Sequence, residues 1–231
     1  MKKNYNSFAK VYDEVVGKDY QMVYKKLIKK SLLKNTIKGK NILELGCGTG
    51  TILKSLSSNN KTFGIDISAE MIALAKEKDT KSEYLIMSMV DFKLPEFFDI
   101  IFCPFDSINH LLNIKNWEKT FKNVEKHLKS DGVFIFDFNT MEKFNKINNK
   151  IIKKNIKNGY VTMETKSFDN KCTWNISIYH NKEKGYHLLS REKITEASFP
   201  EDQILKILKK HFRKTKIIKK GKERIFVSVK K

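Results

Sequence analysis

The sequence predicts an α/β fold: a mostly parallel seven-stranded sheet with helices on both faces, carrying an inserted three-stranded antiparallel unit. Three observations support this. Short apolar runs alternate with segments of helical period over roughly the first 140 residues. The first of these runs, Asn41-Ile42-Leu43-Glu44-Leu45, leads into a loop with glycine at every second position, Gly46-Cys47-Gly48-Thr49-Gly50. Beyond Tyr160 the period changes to two, as in antiparallel strands.

The elements follow in order. Tyr20, Val23, Tyr24, Leu27, Ile28 and Leu32 recur at helical spacing and predict an amphipathic helix. Asn41–Leu45 is the first strand, and a helix is expected from Thr51 to about Ser58. Lys61–Ile67 is the second strand. Ser68 can cap the next helix, which turns Met71, Ile72 and Ala75 inward. Glu83–Met89 and Phe98–Cys103 are the third and fourth strands. Ile114, Trp117, Phe121, Val124 and Leu128 mark a helix closed by Ser130-Asp131-Gly132, and Gly132–Phe138 is the fifth strand. Tyr160–Phe168, Cys172–His180 and Gly185–Ser198 make the antiparallel unit. Ile204, Leu205, Leu208, His211 and Phe212 mark a last helix, with closing strands near Lys214–Ile218 and Arg224–Val229. Strands alternating with helices give a parallel sheet covered on both faces.

The 231 residues suit one domain with an elaboration, and 40% apolar content is enough for a packed core. No stretch approaches the roughly 20 apolar residues of a membrane span, and the polar N-terminus lacks a leader-like run. Cys47, Cys103 and Cys172 are odd in number and widely spaced, so they read as reduced cytoplasmic thiols and not as a metal site. The net charge of +20 raises nucleic acid as a partner. Yet only Arg191, Arg213 and Arg224 are arginine among 46 basic residues, and the lysines are spread along the chain. Phosphate recognition favours the planar arginine fork. A solvated lysine coat is one reading; a site for an anionic substrate is the other.

A glycine loop between strand and helix makes room for a ligand and aims free N–H groups at it. The dinucleotide fingerprint needs a third glycine at the sixth position, where this chain has Thr51. Asp66 ends the second strand 20 residues after Gly46, where a carboxylate can accept both protons of a ribose diol. The alternative for Asp66 is a turn or capping role.

ILELGCGTG, GIDIS, FDIIF and LKSDGVFIFDF, in this order and spacing, resemble the class I methyltransferases that use S-adenosylmethionine. The resemblance covers roughly residues 5–140 and the final helix and strands. It implies a Rossmann-like fold, with S-adenosylmethionine as methyl donor and S-adenosylhomocysteine as product. By the same resemblance Gly46, Cys47 and Gly48 lie against the methionine part, Glu44 orients its amino group, Asp66 holds the ribose and Ile67 packs on the adenine. Tyr12, Met71, Met89 and Cys103 belong to the same implied cofactor set. Where near relatives usually show an Asp-Met pair after strand three, this chain has Ser88-Met89, with Asp91 beyond. Ser88 offers the adenine a hydroxyl, a weaker acceptor than a carboxylate.

Methyl transfer from a sulfonium asks the protein mainly to position the acceptor, which supplies about 7–11 kcal/mol of barrier reduction. The loop Cys103-Pro104-Phe105-Asp106-Ser107-Ile108-Asn109-His110-Leu111 leaves the fourth strand at the ligand-binding edge of such sheets. Related amino-sugar N-methyltransferases have His or Tyr at the position of His110, whose neutral imidazole could take a proton from an ammonium acceptor; the alternative is a packing or capping histidine. Asp106 is read as a cap of the following helix or a contact for a cationic amine, and Pro104 as a turn former. Tyr5, Phe8, Tyr12 and Tyr20 form an aromatic N-terminal segment resembling the subgroup's lid, with Tyr20 and Asn139 as candidate acceptor contacts. Aromatic faces also suit a sulfonium. Trp174 and Tyr179 read as sheet core.

The expected organisation is a cofactor-binding domain over 1–140 and 199–231, with 141–198 inserted as an acceptor wall or dimer contact. The expected function is methyl transfer to a small-molecule amine, such as an amino group of a nucleotide-linked sugar with its phosphate. The alternative is an RNA methyltransferase, against which stands Cys-Pro-Phe-Asp in place of the Asn-Pro-Pro-Tyr type loop. A monomer or homodimer off the membrane is expected, with no metal.

Overall fold

The computed structural model describes residues 7–16, 23, 24, 26–28, 37–182 and 185–231. Tyr5, Tyr20 and Leu32 lie outside the described residues. The central sheet comprises β1 (Asn41–Leu45), β2 (Lys61–Asp66), β3 (Glu83–Ile86), β4 (Phe98–Cys103), β5 (Leu128–Asn139), β10 (Lys214–Lys220) and β11 (Arg224–Lys230). Their order is β10-β11-β5-β4-β1-β2-β3; β11 runs antiparallel to its neighbours and the remaining pairings are parallel. The chain winds outward in both directions from β1 and β4, and the crevice beyond their C-terminal ends is where open α/β sheets bind ligands.

Alternation sends successive residues of the buried strands to opposite faces. Leu43, Leu45, Phe63, Ile101, Phe134 and Phe136 pack on one side with Trp117 and Phe121 of the helix Ile114–His127. Ile42, Ile100, Phe102 and Ile135 pack on the other with Tyr24, Ile28, Leu53 and Ile72. The second sheet is fully antiparallel, in the order β6 (Ile151–Ile156), β7 (Gly159–Phe168), β8 (Lys171–Lys182) and β9 (Gly185–Ala197). One face of it, through Val161, Ile176, Ile178 and Ile194, packs on Phe8, Val11 and Val15 of the N-terminal segment.

Four local expectations are corrected. The antiparallel unit has four strands: β6 reads Ile-Ile-Lys-Lys-Asn-Ile, and as an exposed edge strand it needs no apolar alternation. The helix after the glycine loop is only Thr51–Lys54, followed by a 3-10 turn at Ser57–Asn59. Ser55 Oγ and Ser57 Oγ donate to the carbonyls of Ile52 and Lys54, offering the backbone an alternative to the helical ladder. β3 ends at Ile86, which leaves Ser88 and Met89 in a loop. Ser130-Asp131-Gly132 lies within β5, opposite a register shift in β4, and does not form a separate turn.

Candidate active site

Gly46, Gly48 and Gly50 all have positive φ, at 68°, 52° and 71°. At Gly50 an added Cβ would lie 2.5 Å from the Tyr84 hydroxyl, and at Gly46 it would lie 2.8 Å from Ser107 Cβ. Alternate glycines are therefore required by conformation and by packing together. Asp66 fixes the loop from below. One carboxylate oxygen accepts from Gly48 N and the other from Ser68 N, both at 2.9 Å. Ser68 caps the helix Ala69–Lys78 by accepting from Met71 N.

Two chambers meet above this loop and share Tyr12, Gly46, Gly48, Phe105 and Ser107. The wider, about 910 Å³ and open to solvent, adds Asp66, Ile67, Met71, Ser88, Met89 and His110. The narrower, about 470 Å³, adds Asp13, Glu44, Cys47 and Thr49. No lysine or arginine is among the described lining residues, although the chain carries +20; Asp13 is paired with Lys78. Ile67 stands 61% exposed at the rim, an apolar surface available to a flat ligand.

Burial sets the electrostatics. It raises the pKa of Glu44 well above the carboxylate range and also raises that of Asp66, against hydrogen bonds from Ser68 N and Gly48 N. Burial pushes the Tyr12 phenol up, reinforced by Asp106 and Asp66. His110 is shifted the opposite way: desolvation lowers it despite Asp106 and Asp66, so its imidazole is neutral at neutral pH. Its ring is hydrogen-bonded to the backbone of Thr195 on β9.

The structure also fits the implied methyl donor. Glu44 is 2% exposed and its Oε2 has no hydrogen-bond partner among the described residues, in a chamber that could hold an amino-acid ammonium. Asp66 borders the wider chamber, and its carboxylate keeps acceptor capacity beyond the amide bonds from Gly48 and Ser68.

The loop after β4 carries two consecutive non-glycine residues at positive φ, Phe105 at 56° and Asp106 at 49°. They are held there by their amides: Phe105 N donates to the Tyr24 hydroxyl and Asp106 N to Asp137 Oδ2. The Asp106 carboxylate makes no capping bond to the turn Ser107–His110; it pairs with Arg224, which also reaches Asp137 Oδ2 at 2.9 Å. The capping role is thus replaced by a buried ion-pair network. Pro104 O accepts from Ser107 N and Oγ, closing the turn.

Among the candidates, Tyr12, Gly46, Gly48, Asp66, Ile67, Met71, Ser88, Met89 and His110 come together around the wider chamber, with Glu44 and Cys47 in the narrower. Ser88 Oγ already accepts from Val90 N. Asp91 is exposed and borders neither chamber. Cys103 is fully buried at the end of β4 and Asp106 and Asn139 stand behind the lining. Asn139 Nδ2 donates to Glu196, and its backbone exchanges hydrogen bonds with the Asn109 side chain. Sequence reasoning assigns no site role to Asp137, Glu196 or Arg224. Burial pushes Asp137 up to about 6 and Glu196 up to about 8. The available signal was Arg224 itself, a rare arginine in a lysine-rich chain.

Residues 42–132 match the family described as a methyltransferase domain. An S-adenosylmethionine-dependent methyltransferase from Clostridium acetobutylicum superposes over 98% of each chain with TM-score 0.83 and 27% identity. An uncharacterized protein of Methanocaldococcus jannaschii is 33% identical over 68% of this chain and 59% of its own length. A dTDP-3-amino-3,6-dideoxy-alpha-D-glucopyranose N,N-dimethyltransferase of Streptomyces fradiae is 29% identical over 56% of this chain and 52% of its own. The matches thus span little more than half the length of these two curated relatives.

Proposed function

Given that the chain carries a methyltransferase domain of the S-adenosylmethionine-dependent class, we propose that it methylates the nitrogen of a small amine in the cytoplasm. The observation that carries this reading is the charge of the cleft. Among its described lining residues there is no lysine or arginine, in a chain with 46 basic residues, while Asp13 is paired with Lys78 and burial holds Glu44 toward its neutral form. A lining without cations opposes a polyphosphate strand.

S-adenosylmethionine supplies, when bound, an electrophilic methyl group on a sulfonium. Asp66 would hold the ribose hydroxyls and Glu44 the amino group, with Ile67, Met71, Ser88 and Met89 on the side of the base. Tyr12 roofs both chambers and excludes water. His110, neutral and fixed on the Thr195 backbone, accepts the proton that the acceptor ammonium must lose before its lone pair can attack. Segment 141–198 walls the acceptor side.

Labelled S-adenosylmethionine incubated with a panel of amino sugars and small amines, and separately with total RNA, tests this. Label is expected in the amine fraction. Label in RNA at physiological salt overturns the small-amine reading. No transfer, together with no thermal stabilisation by S-adenosylhomocysteine, overturns the enzyme reading.

A further inference from the structure

The turn Ser107–His110 is bonded to both sheets, and one side chain makes the junction. Asn109 is fully buried, and its amide bonds to main-chain atoms. Its Oδ1 accepts from Asn139 N at 3.0 Å, and its Nδ2 donates to Asn139 O at 3.1 Å and to Ala197 O at 2.8 Å. Asn139 ends β5 of the central sheet, and Ala197 ends β9 of the antiparallel sheet. Both amide protons are in use, and each goes to a different sheet.

The next residue is His110, whose ring is hydrogen-bonded to the Thr195 backbone. Ser198 N donates to Asn170 O, across to the β8 side, so alternation turns the main-chain groups of Ala197 and Thr195 to the other edge of β9. β9 is the last strand of its sheet, and this is its open edge. Consecutive side chains of the turn thus take up successive open positions of an edge strand. The central sheet carries the glycine loop and Asp66, and with them the methyl donor; β9 carries the imidazole. Their separation depends on how the turn is tied to each. A displacement of about 1 Å at a reacting centre can cost about 10²-fold in rate. A ring held to the backbone through one nitrogen keeps its lone pair on the other, so the same contact sets the tautomer.

Resting on the reading of His110 as proton acceptor, we propose that Asn109 is a positioning residue: by locking the turn Ser107–His110 to both sheets, it sets where the imidazole stands relative to the methyl donor and which ring nitrogen carries the lone pair. Ser198 supplies the contrast. Its Oγ donates to the same Asn139 carbonyl at 2.8 Å and so also ties β5 to the end of β9, but it makes no bond to the turn.

Asn109→Ser and Asn109→Asp each remove the paired amide donors, and Ser198→Ala removes only the neighbouring tie. The first measurement needs no acceptor: the imidazole nitrogen resonances of His110 in the complex with S-adenosylhomocysteine. The intact protein and Ser198→Ala are expected to show one tautomer, and the Asn109 variants the averaged shifts of two. One tautomer in both Asn109 variants overturns the proposal. So does averaging in Ser198→Ala, which would assign the effect to the sheet junction at large. The second measurement is methyl transfer to whichever amine of the panel takes up most label. In the Asn109 variants kcat should fall about 10–100-fold, with S-adenosylhomocysteine affinity by calorimetry within about twofold of the intact protein. Adding Asn109→Ser to His110→Ala should lower kcat no further, because the first residue acts through the second. Losses that multiply in the double variant, or that appear equally in S-adenosylhomocysteine affinity, overturn the positioning role. Averaged resonances in the Asn109 variants together with full kcat in His110→Ala uphold the clamp and overturn the proton-acceptor reading alone.

Discussion

The cofactor wall of the cleft is made from neighbours in the chain. Asp66 reaches an amide 18 residues away in the glycine loop and another two residues ahead. The opposite wall is made from strangers. Arg224 joins Asp137 and Asp106 across 87 and 118 residues, and Asn139 meets Glu196 across 57. The first wall relies on backbone amides, positive-φ glycines and one carboxylate; the second on side chains that satisfy one another inside the protein. A ligand common to many enzymes can be held by backbone geometry. A particular acceptor needs side chains, and these are free to come from anywhere the fold delivers them.

The contrast can be broken at several points. His110→Ala should lower kcat about 10²–10⁴-fold, the usual range for a lost general base, with S-adenosylhomocysteine affinity by calorimetry nearly unchanged. Equal losses in both would place His110 on the cofactor wall instead. Arg224→Met removes the guanidinium between the buried Asp137 and the half-buried Asp106 and should cost about 3–5 kcal/mol in urea unfolding. A cost below about 1 kcal/mol would show that Asp106 and Asp137 do not depend on the pair. Asp66→Ala should weaken S-adenosylhomocysteine binding about 10–100-fold, the worth of charge-assisted hydrogen bonds, while urea stability changes less than in Arg224→Met.

The second wall also carries a pH signature. Asp137 and Glu196 have folded pKa values raised to about 6 and about 8, so the folded state holds more protons than the unfolded across that interval. Their contribution is therefore greatest at low pH and is lost as pH rises through about 6 and then about 8. Urea stability should fall between about pH 5 and 8, and Glu196→Gln should flatten the upper part of that fall. A slope unaltered by the substitution would assign it to other groups.

The same division explains what the sequence made legible. The glycine loop, Asp66 and the Ser68 cap are local patterns whose spacing encodes their geometry, and the parallel strands announce themselves as short, mainly apolar runs. β6 did not, because an edge strand that turns Lys153, Lys154 and Asn155 outward has no period to detect. The Thr51 helix was read too long because serine hydroxyls, and not a glycine or proline, end it. Asp106 looked like a cap because its partner lies 118 residues away, and no local pattern joins Asp106 to Arg224.

The uneven charge of coat and cleft has a kinetic consequence. A chain of net charge +20 repels a cationic acceptor during approach, whereas the described lining of the cleft holds no lysine or arginine to repel it once inside. Added salt screens the long-range repulsion, with a Debye length of about 8 Å at 0.15 M, more than it screens the buried contacts. For a simple amine, kcat/KM should therefore rise modestly with ionic strength, whereas an acceptor tethered to a phosphate should show the reverse. The sign of that dependence reads out the charge of the acceptor before its structure is known.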